Sequence, residues 1–315
     1  MEGGGNDAGM RPVLVAGAIN TDLVARVEHA PAAGETVTGS SFAIFGGGKG
    51  ANQAIATARS GAPTAMLGAL GDDDFGRARR ADLDAEGITT TFVAQHETEP
   101  SGVALIVVED KTGQNRISYV PGATLTIRPA QALEAIEQVH PGVVLTTLEP
   151  VPETVDALIE EGHAIGALVV LNASPEAEGA QPFLDRLDVL VLNEVEAEQL
   201  LDSPVTAANS AEAALALAER GPKTVVITLG AAGAVVAANG ETTAIPAPLV
   251  TVVDTTGAGD AFTGAFAAEL ARGSDAVAAA RTGVVAGSLA TTVLGAYPGL
   301  PRREAIEAML QEVDE

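Results

Sequence analysis

Asp254-Thr255-Thr256-Gly257-Ala258-Gly259-Asp260-Ala261-Phe262 sets a carboxylate directly behind a short glycine turn, at the head of a segment whose small residues Gly264, Ala265, Ala267 and Ala268 suit a closely packed helix. Glycines let the backbone turn tightly and present successive N–H groups, and a helix N-terminus adds positive potential, so Gly257, Ala258 and Gly259 form an anion site. A carboxylate beside a bound phosphate is repelled unless it has a task, such as accepting a proton from an attacking hydroxyl. The competing reading is that Asp260 caps or charges the first helical turn. The string alone does not choose between them.

A second glycine run, Phe45-Gly46-Gly47-Gly48-Lys49-Gly50-Ala51-Asn52, also opens a helix. Lys49 and Asn52 lie three residues apart and share a helix face, so one polar ligand can meet both. The run is not a P-loop, because Gly50 follows the lysine where Ser or Thr would ligate magnesium. Gly46-x-Gly48-x-x-Ala51 fits a loose dinucleotide fingerprint with Asp72 downstream, which keeps a nicotinamide dehydrogenase open. Against that reading, the segment before the glycines looks like a small projecting sheet, and the first strand ends at Asn20-Thr21-Asp22 without glycines. Asn193-Glu194-Val195-Glu196 suits either a hydrated magnesium ion held by Asn193 and Glu196 or a capping box. Thr228-Leu229-Gly230-Ala231-Ala232-Gly233 suits either a nucleotide's phosphates or an ordinary tight turn.

The elements that must position these residues follow an α/β pattern. Arg11–Ala18 reads as a buried first strand with Asn20-Thr21-Asp22 at its tip, and Gly46–Arg59 as a helix with small residues every third position. From Arg128 onward strand and helix alternate, which implies a mainly parallel sheet covered by helices on both faces. Residues 35–45 and 90–120 break the alternation with period-2 strands and form a small projecting sheet. Leu249–Val253 reads as an apolar strand leading into the Asp254–Asp260 string. The whole is one domain over residues 11–315, preceded by a Gly-rich segment, residues 1–10, that is expected to be disordered.

Composition sets the limits. Hydrophobic residues make up 47% of the chain but aromatics only 3%, so the core must be aliphatic. With no cysteine, thiol nucleophiles, disulfides and cysteine-ligated zinc are excluded, which fits a cytoplasmic protein. Met1–Met10 has no apolar run and carries Glu2 and Asp7, unlike a signal peptide. A formal charge of -25 argues against binding nucleic acid or an acidic membrane, since such a surface repels phosphates at long range. An anionic nucleotide therefore needs a local, amide-lined site.

In their order and spacing, Asn20/Asp22, GGGKGAN, NEVE, TLGAAG and DTTGAGD resemble the ribokinase-like (PfkB) family of carbohydrate kinases, over about residues 11 to 312. Gly34–Gly39, Gly47–Ala54, Ser101–Ile106 and Leu148-Glu149-Pro150 look most like the ribokinase branch of that family. The resemblance implies a three-layer α/β/α fold with a β-sheet lid, and transfer of a phosphoryl group from ATP to the 5-hydroxyl of ribose. Another pentose, deoxyribose or a nucleoside remains an alternative substrate, and a non-catalytic sugar- or nucleotide-binding regulator an alternative class.

By the same resemblance Asp260 is the base and Gly257, Ala258 and Gly259 the anion hole. Asn20, Asp22, Gly48, Lys49, Asn52 and Glu149 hold the sugar. Asn193, Thr228, Gly230, Gly233 and Gly259 line the ATP site, and Asn193 and Glu196 organise Mg2+ through water. Asp254 with the carbonyls of Thr256, Ala290, Val293 and Gly295 matches a K+ site, although Gly299 stands where the family usually offers a serine hydroxyl. Gly46 is an additional glycine, and Asn172-Ala173-Ser174-Pro175 departs from the more usual NPAPA. The lid is expected to form a homodimer interface.

Overall fold

A computed structural model of the chain describes residues 10–314. The chain enters a large sheet as β1 (Val13–Ala16) and leaves it at once for β2 (Asn20–Val27) and β3 (Gly39–Gly47) of a small one. Helix α1 (Lys49–Arg59) returns to β4 (Thr64–Gly71), and α2 (Asp74–Ala85) leads to the edge strand β5 (Val93–His96). Strands β6 (Gly102–Glu109) and β7 (Asn115–Val120) complete the small sheet. Then come α3 (Pro129–Val139), β8 (Val143–Thr146), α4 (Pro152–Ala164), β9 (Leu168–Asn172), β10 (Val189–Asn193), α5 (Glu194–Leu201), α6 (Ser210–Ala218) and β11 (Thr224–Thr228). The hairpin β12 (Ala234–Ala238) and β13 (Glu241–Ile245) precedes α7 (Ala258–Arg272), α8 (Ala276–Ala290), the short α9 (Ala296–Gly299) and α10 (Arg303–Asp314).

The large sheet has the order β13-β12-β11-β10-β9-β8-β1-β4-β5. It is parallel except for the hairpin at one edge. Its inner strands are buried on both faces, so they read as apolar runs whose alternate residues serve two different layers. Val13 and Val15 face α1 and α7, while Leu14 and Ala16 face the layer of α3 and α4. In β10 the same division sends Val189 and Val191 one way, Leu190 and Leu192 the other. Few aromatics contribute; the stacked pair Phe262 and Phe266, 6.0 Å apart, comes from successive turns of α7. The architecture is the expected three-layer α/β/α with a small second sheet.

Three details differ from the sequence reading, and one falls outside what is described. Asn20-Thr21-Asp22 is not the tip of the first strand but the start of β2, which is central in the small sheet, paired antiparallel with β3 and parallel with β6. Residues 93–96 of the expected 90–120 segment belong to the edge of the large sheet instead, paired with β4. Leu249–Val253 forms no strand: it leaves the sheet edge at β13 and runs largely exposed, Leu249 completely so, with the Val253 amide bonded to the Thr291 carbonyl. The expected disorder of residues 1–10 falls, apart from Met10, outside the described residues. No helix among the described residues is long and apolar enough to cross a membrane.

Candidate functional site

The carboxyl ends of β1, β8, β9, β10 and β11 lie side by side, and loops leaving one edge of a parallel sheet are where such folds gather ligands. Helices α1 and α7 both begin there, each after a glycine in the left-handed half of backbone space: Gly48 at φ 91° and Gly257 at φ 78°. At Gly48 a side chain is excluded twice over, since a Cβ would also strike the Ala18 carbonyl and the Asn20 amide.

Asp260 sits in the first turn of α7 and is 7% exposed. Its Oδ2 accepts from Asn52 Nδ2 at 2.7 Å and its Oδ1 from Gln53 Nε2 at 2.9 Å. Gln53 also donates to Asn172 Oδ1 at 2.9 Å, and Asn172 Nδ2 donates to the Val191 carbonyl. Strands β9 and β10 thus fix the amide that fixes the carboxylate. The amide face of the Gly257–Gly259 turn opens beside it onto a cleft of about 220 Å³, whose walls include Lys49, Asn193, Glu196, Thr228, Gly259 and Asp260. A second cleft, about 310 Å³, shares Thr228, Thr255 and Gly259 with the first and is lined further by Gly230, Leu249, Val252 and Val284. A polar compartment joined to an apolar one suits a ligand with a charged end and a flat apolar end.

The expected sugar ligands group around Asp260, with Lys49 in the wall of the polar cleft and Asn52 bonded to Asp260 itself. Asp22 lies against Gly47, where a Cβ would overlap its carboxylate. Burial pushes the Asp22 carboxyl up to about 6; the Arg79 guanidinium pulls it down and Asp260 adds to the rise. Asn20 and Asn52 are buried, and the Oδ1 of each lacks a hydrogen-bond partner. Buried acceptors without donors are uncommon, and a polyhydroxylated ligand supplies donors. Glu149 also has a task within the protein. Its Oε2 accepts from the amides of Ala18 at 2.8 Å and Gly50 at 3.1 Å and from the Thr147 hydroxyl, while Oε1 accepts from the Lys49 amide at 3.2 Å. It serves α1 as an N-cap from the loop after β8, which explains why that helix begins without a capping side chain of its own. Burial raises its carboxyl above the usual range despite those amides and Lys49.

Asn193 and Glu196 form the capping box, each side chain accepting the other's backbone N–H at 2.8 Å. Both still line the polar cleft. Burial raises the Glu196 carboxyl, opposed by the Asn193 amide and Lys49. Asp254 is held by the amides of Thr256 at 3.0 Å and Gly295 at 2.8 Å and by the Thr256 hydroxyl at 2.7 Å. Burial would raise its carboxyl, but these donors outweigh it and hold it below the usual range. The carbonyls of Ala290 and Val293 both point at Gly299: a Cβ there would lie 2.8 and 3.6 Å from them. Gly230 and Gly233 flank the turn after β11.

Comparison with known proteins now fits onto this geometry. A family model described as pfkB family carbohydrate kinase matches residues 10–303. The chain belongs to the pfkB family of carbohydrate kinases. It is 39% identical over 302 residues to ribokinase from Bacillus subtilis, covering 96% of this chain and 100% of the relative. It is 34% identical to deoxyribokinase from Salmonella typhi, covering 95% and 98%. Among solved structures, ribokinase from Arabidopsis thaliana complexed with ribose and ATP superposes with a TM-score of 0.87 at 31% identity, covering 96% and 99%. The family removes the dehydrogenase reading, and the kinase's structure agrees: Gly46–Gly48 follow β3 of the small sheet, not the first strand of a nucleotide-binding unit.

Sequence reasoning missed four side chains that shape the kinase's site. Gln53 could have been found, since it follows Asn52 inside the glycine motif. Asn172 appeared only as a departure from a family string. Arg79 gave no signal: within Arg77-Ala78-Arg79-Arg80 it reads as solvated helix, yet it is buried and bonds the Thr21 hydroxyl at 3.0 Å and the Phe45 carbonyl at 3.1 Å. Tyr297 is the fourth.

The Asp22 shift carries a pH prediction. A carboxylate accepts hydroxyl hydrogens at both oxygens and a neutral carboxyl does so less well, so loss of the charge weakens a sugar bound through it. Because the pKa is raised, the neutral form already gains population as the pH falls toward about 6. The sugar KM is expected to rise as the pH falls through that value, and Asp22→Asn to have a high KM that no longer varies there. A flat KM in the unaltered kinase from about pH 5 to about pH 8 would remove Asp22 from the sugar site.

Proposed function

We propose that this kinase transfers the γ-phosphoryl group of ATP to the 5-hydroxyl of D-ribose, with Asp260 as the base. The observation that carries the reading is the setting of that carboxylate: buried, held at both oxygens by side-chain amides, and adjacent to the N-terminal amides of α7. A helix cap needs no such support from another helix. In the reaction Asp260 takes the hydroxyl proton as the sugar oxygen forms its bond to the γ-phosphorus, the bond to the β,γ-bridging oxygen breaks, and ADP leaves. Amides of Gly257, Ala258 and Gly259 face the charge on the transferring group. Asn20, Asp22, Lys49 and Asn52 orient the sugar beside Gly48, and Glu149 acts through α1 by holding its first amides. Thr228, Gly230 and Gly233 border the phosphates, with the apolar cleft taking the base. Asn193 and Glu196 would hold magnesium through its waters, where it supplies neutralisation of phosphate charge. Asp260→Asn is expected to keep fold and sugar binding while lowering kcat by about a hundredfold or more; near-normal turnover would sink the assignment.

Deoxyribose is the second reading, favoured by the Salmonella relative. Initial rates over ribose, deoxyribose, other pentoses, hexoses and nucleosides, followed by ADP release, discriminate between the two; kcat/KM highest for any sugar other than ribose overturns the substrate assignment.

Two further parts of this reading concern a cation and a partner. Asp254, kept ionised, and the carbonyls of Thr256, Ala290, Val293 and Gly295 suit a potassium ion, and the missing hydroxyl at Gly299 leaves one position to water. The rate is expected to fall when sodium replaces potassium, and equal rates would remove the site. The small sheet presents Phe42 and Ile44 on one face of β3, with Leu105 in the row of Ile44 across β2, all at least 47% exposed. A second copy of the chain is the occupant proposed for that face, making a homodimer through the lid. Light scattering should give twice the chain mass, falling to one chain mass for Ile44→Asp; a monomer from the unaltered chain refutes it.

A further inference from the structure

Gly295, Ala296 and Tyr297 alternate between the two halves of the site. A Cβ at Gly295 would lie 3.4 Å from the Phe45 ring, and the Tyr297 ring occupies the space that any side chain at Gly46 would need, its Cζ 2.7 Å from where a Cβ would stand. Between them, Ala296 abuts Gly257, 3.2 Å from the position of a Cβ there. Two residues of the trio therefore touch the end of lid strand β3 and one touches the N-cap of α7. The contact with β3 lies just ahead of Lys49, and the Tyr297 hydroxyl makes a long bond of 3.4 Å to the Gly47 carbonyl.

The segment is anchored from below. Arg59, at the end of α1, donates from Nη1 to the carbonyls of Tyr297 and Leu300, both at 2.7 Å, and from Nη2 to Glu86 at 2.6 Å. On the same face of the small sheet, where Thr21 is the ladder partner of Gly46, Arg79 donates to the Phe45 carbonyl and the Thr21 hydroxyl. One face of the base of the lid thus packs against both a buried guanidinium and a buried ring.

We propose that Tyr297 is a positioning residue that locks the sugar-side end of β3 to the anion-hole turn, with Gly46 as the gap that admits its ring. The inference rests on the sugar-kinase reading above and extends it. Because the ring contacts β3 while its neighbour contacts Gly257, loss of the ring displaces both the sugar ligands and the amides that face the phosphoryl group. A residue that merely filled the core would change stability and leave KM and kcat alone.

The test is a double-mutant cycle on the full chain, with ribose and ATP kinetics and a thermal melt for each variant. Tyr297→Leu is expected to raise the ribose KM and lower kcat, each roughly tenfold. Gly46→Ala is expected to do the same, because its methyl group displaces the ring. Tyr297→Phe, which keeps the ring, should restore both parameters to within about threefold of the unaltered chain. Gly46→Ala combined with Tyr297→Leu should be less impaired than the product of the two single losses, since the shorter side chain leaves room for the methyl group. The proposal is overturned if Tyr297→Leu shifts only the melting temperature, or if the two losses multiply. If Tyr297→Leu does not fold, Tyr297→Met takes its place in the cycle with the same two criteria. The sugar-kinase reading fails separately, by absence of phosphoryl transfer to any sugar in the unaltered chain.

Discussion

One carboxylate joins two helix N-termini that are more than two hundred residues apart in sequence. Asp260 opens α7, Asn52 and Gln53 lie near the start of α1, and their hydrogen bonds span 208 and 207 residues. Neither helix could bring these groups together alone. The large sheet does so by ending its strands along one edge, with β1 pairing β4 on one side and β8 on the other, so that α1 and α7 descend the same face. Close approach then needs small residues. Gly264 on α7 sits where a Cβ would meet Ala56 and the Gln53 carbonyl, and Gly50 sits against Gly17 of the β1 loop. The poverty of aromatics and abundance of alanine and glycine in the chain are what such helix-on-sheet contact requires.

Placing carboxylates together at that edge has an electrostatic cost, and burial is the largest cause of the raised carboxyl groups of Asp22, Glu149 and Glu196 alike. Asp260 adds to the rise in all three. Opposing charge comes from Lys49 and Arg79, and opposing dipoles come from backbone amides: those of α1 on Glu149 and that of Asn193 on Glu196. With so much negative charge concentrated there, and a chain carrying -25 overall, a polyphosphate cannot be drawn in by long-range attraction. Its binding must be local, through the α7 amides and whatever cation accompanies it.

Much of this was legible in sequence because it depends on local rules. Glycine turns announced the starts of α1 and α7, and period-2 runs announced most of the small sheet. What stayed hidden depends on contacts between distant segments. Nothing near Asn20 says that β2 will be flanked by β3 and β6, since that pairing is settled only when residues 39–47 and 102–109 arrive. Leu249–Val253 has the composition of a strand, and tertiary context overrides it: the segment turns away from the sheet edge and forms a wall of the apolar cleft. Glu149 shows the same limit. The resemblance offered it as a ligand for hydroxyls, and nothing local announced that it also accepts the amides of Ala18, Lys49 and Gly50.

The two glycines that set this chain apart from its family's usual pattern, Gly46 and Gly299, are distant in sequence but meet one stretch of backbone. Gly46 lies under the ring of Tyr297, and Gly299 faces the carbonyls of Ala290 and Val293 just before that stretch begins. Losing a side chain at each end lets a bulky ring sit between lid and anion hole while leaving carbonyl oxygens uncovered behind it. Arg59 reinforces the arrangement through main-chain carbonyls rather than side chains, so it fixes the path of residues 297–300 whatever their identity. Both glycines therefore bear on how one C-terminal segment packs, and the end of β3 lies against that segment.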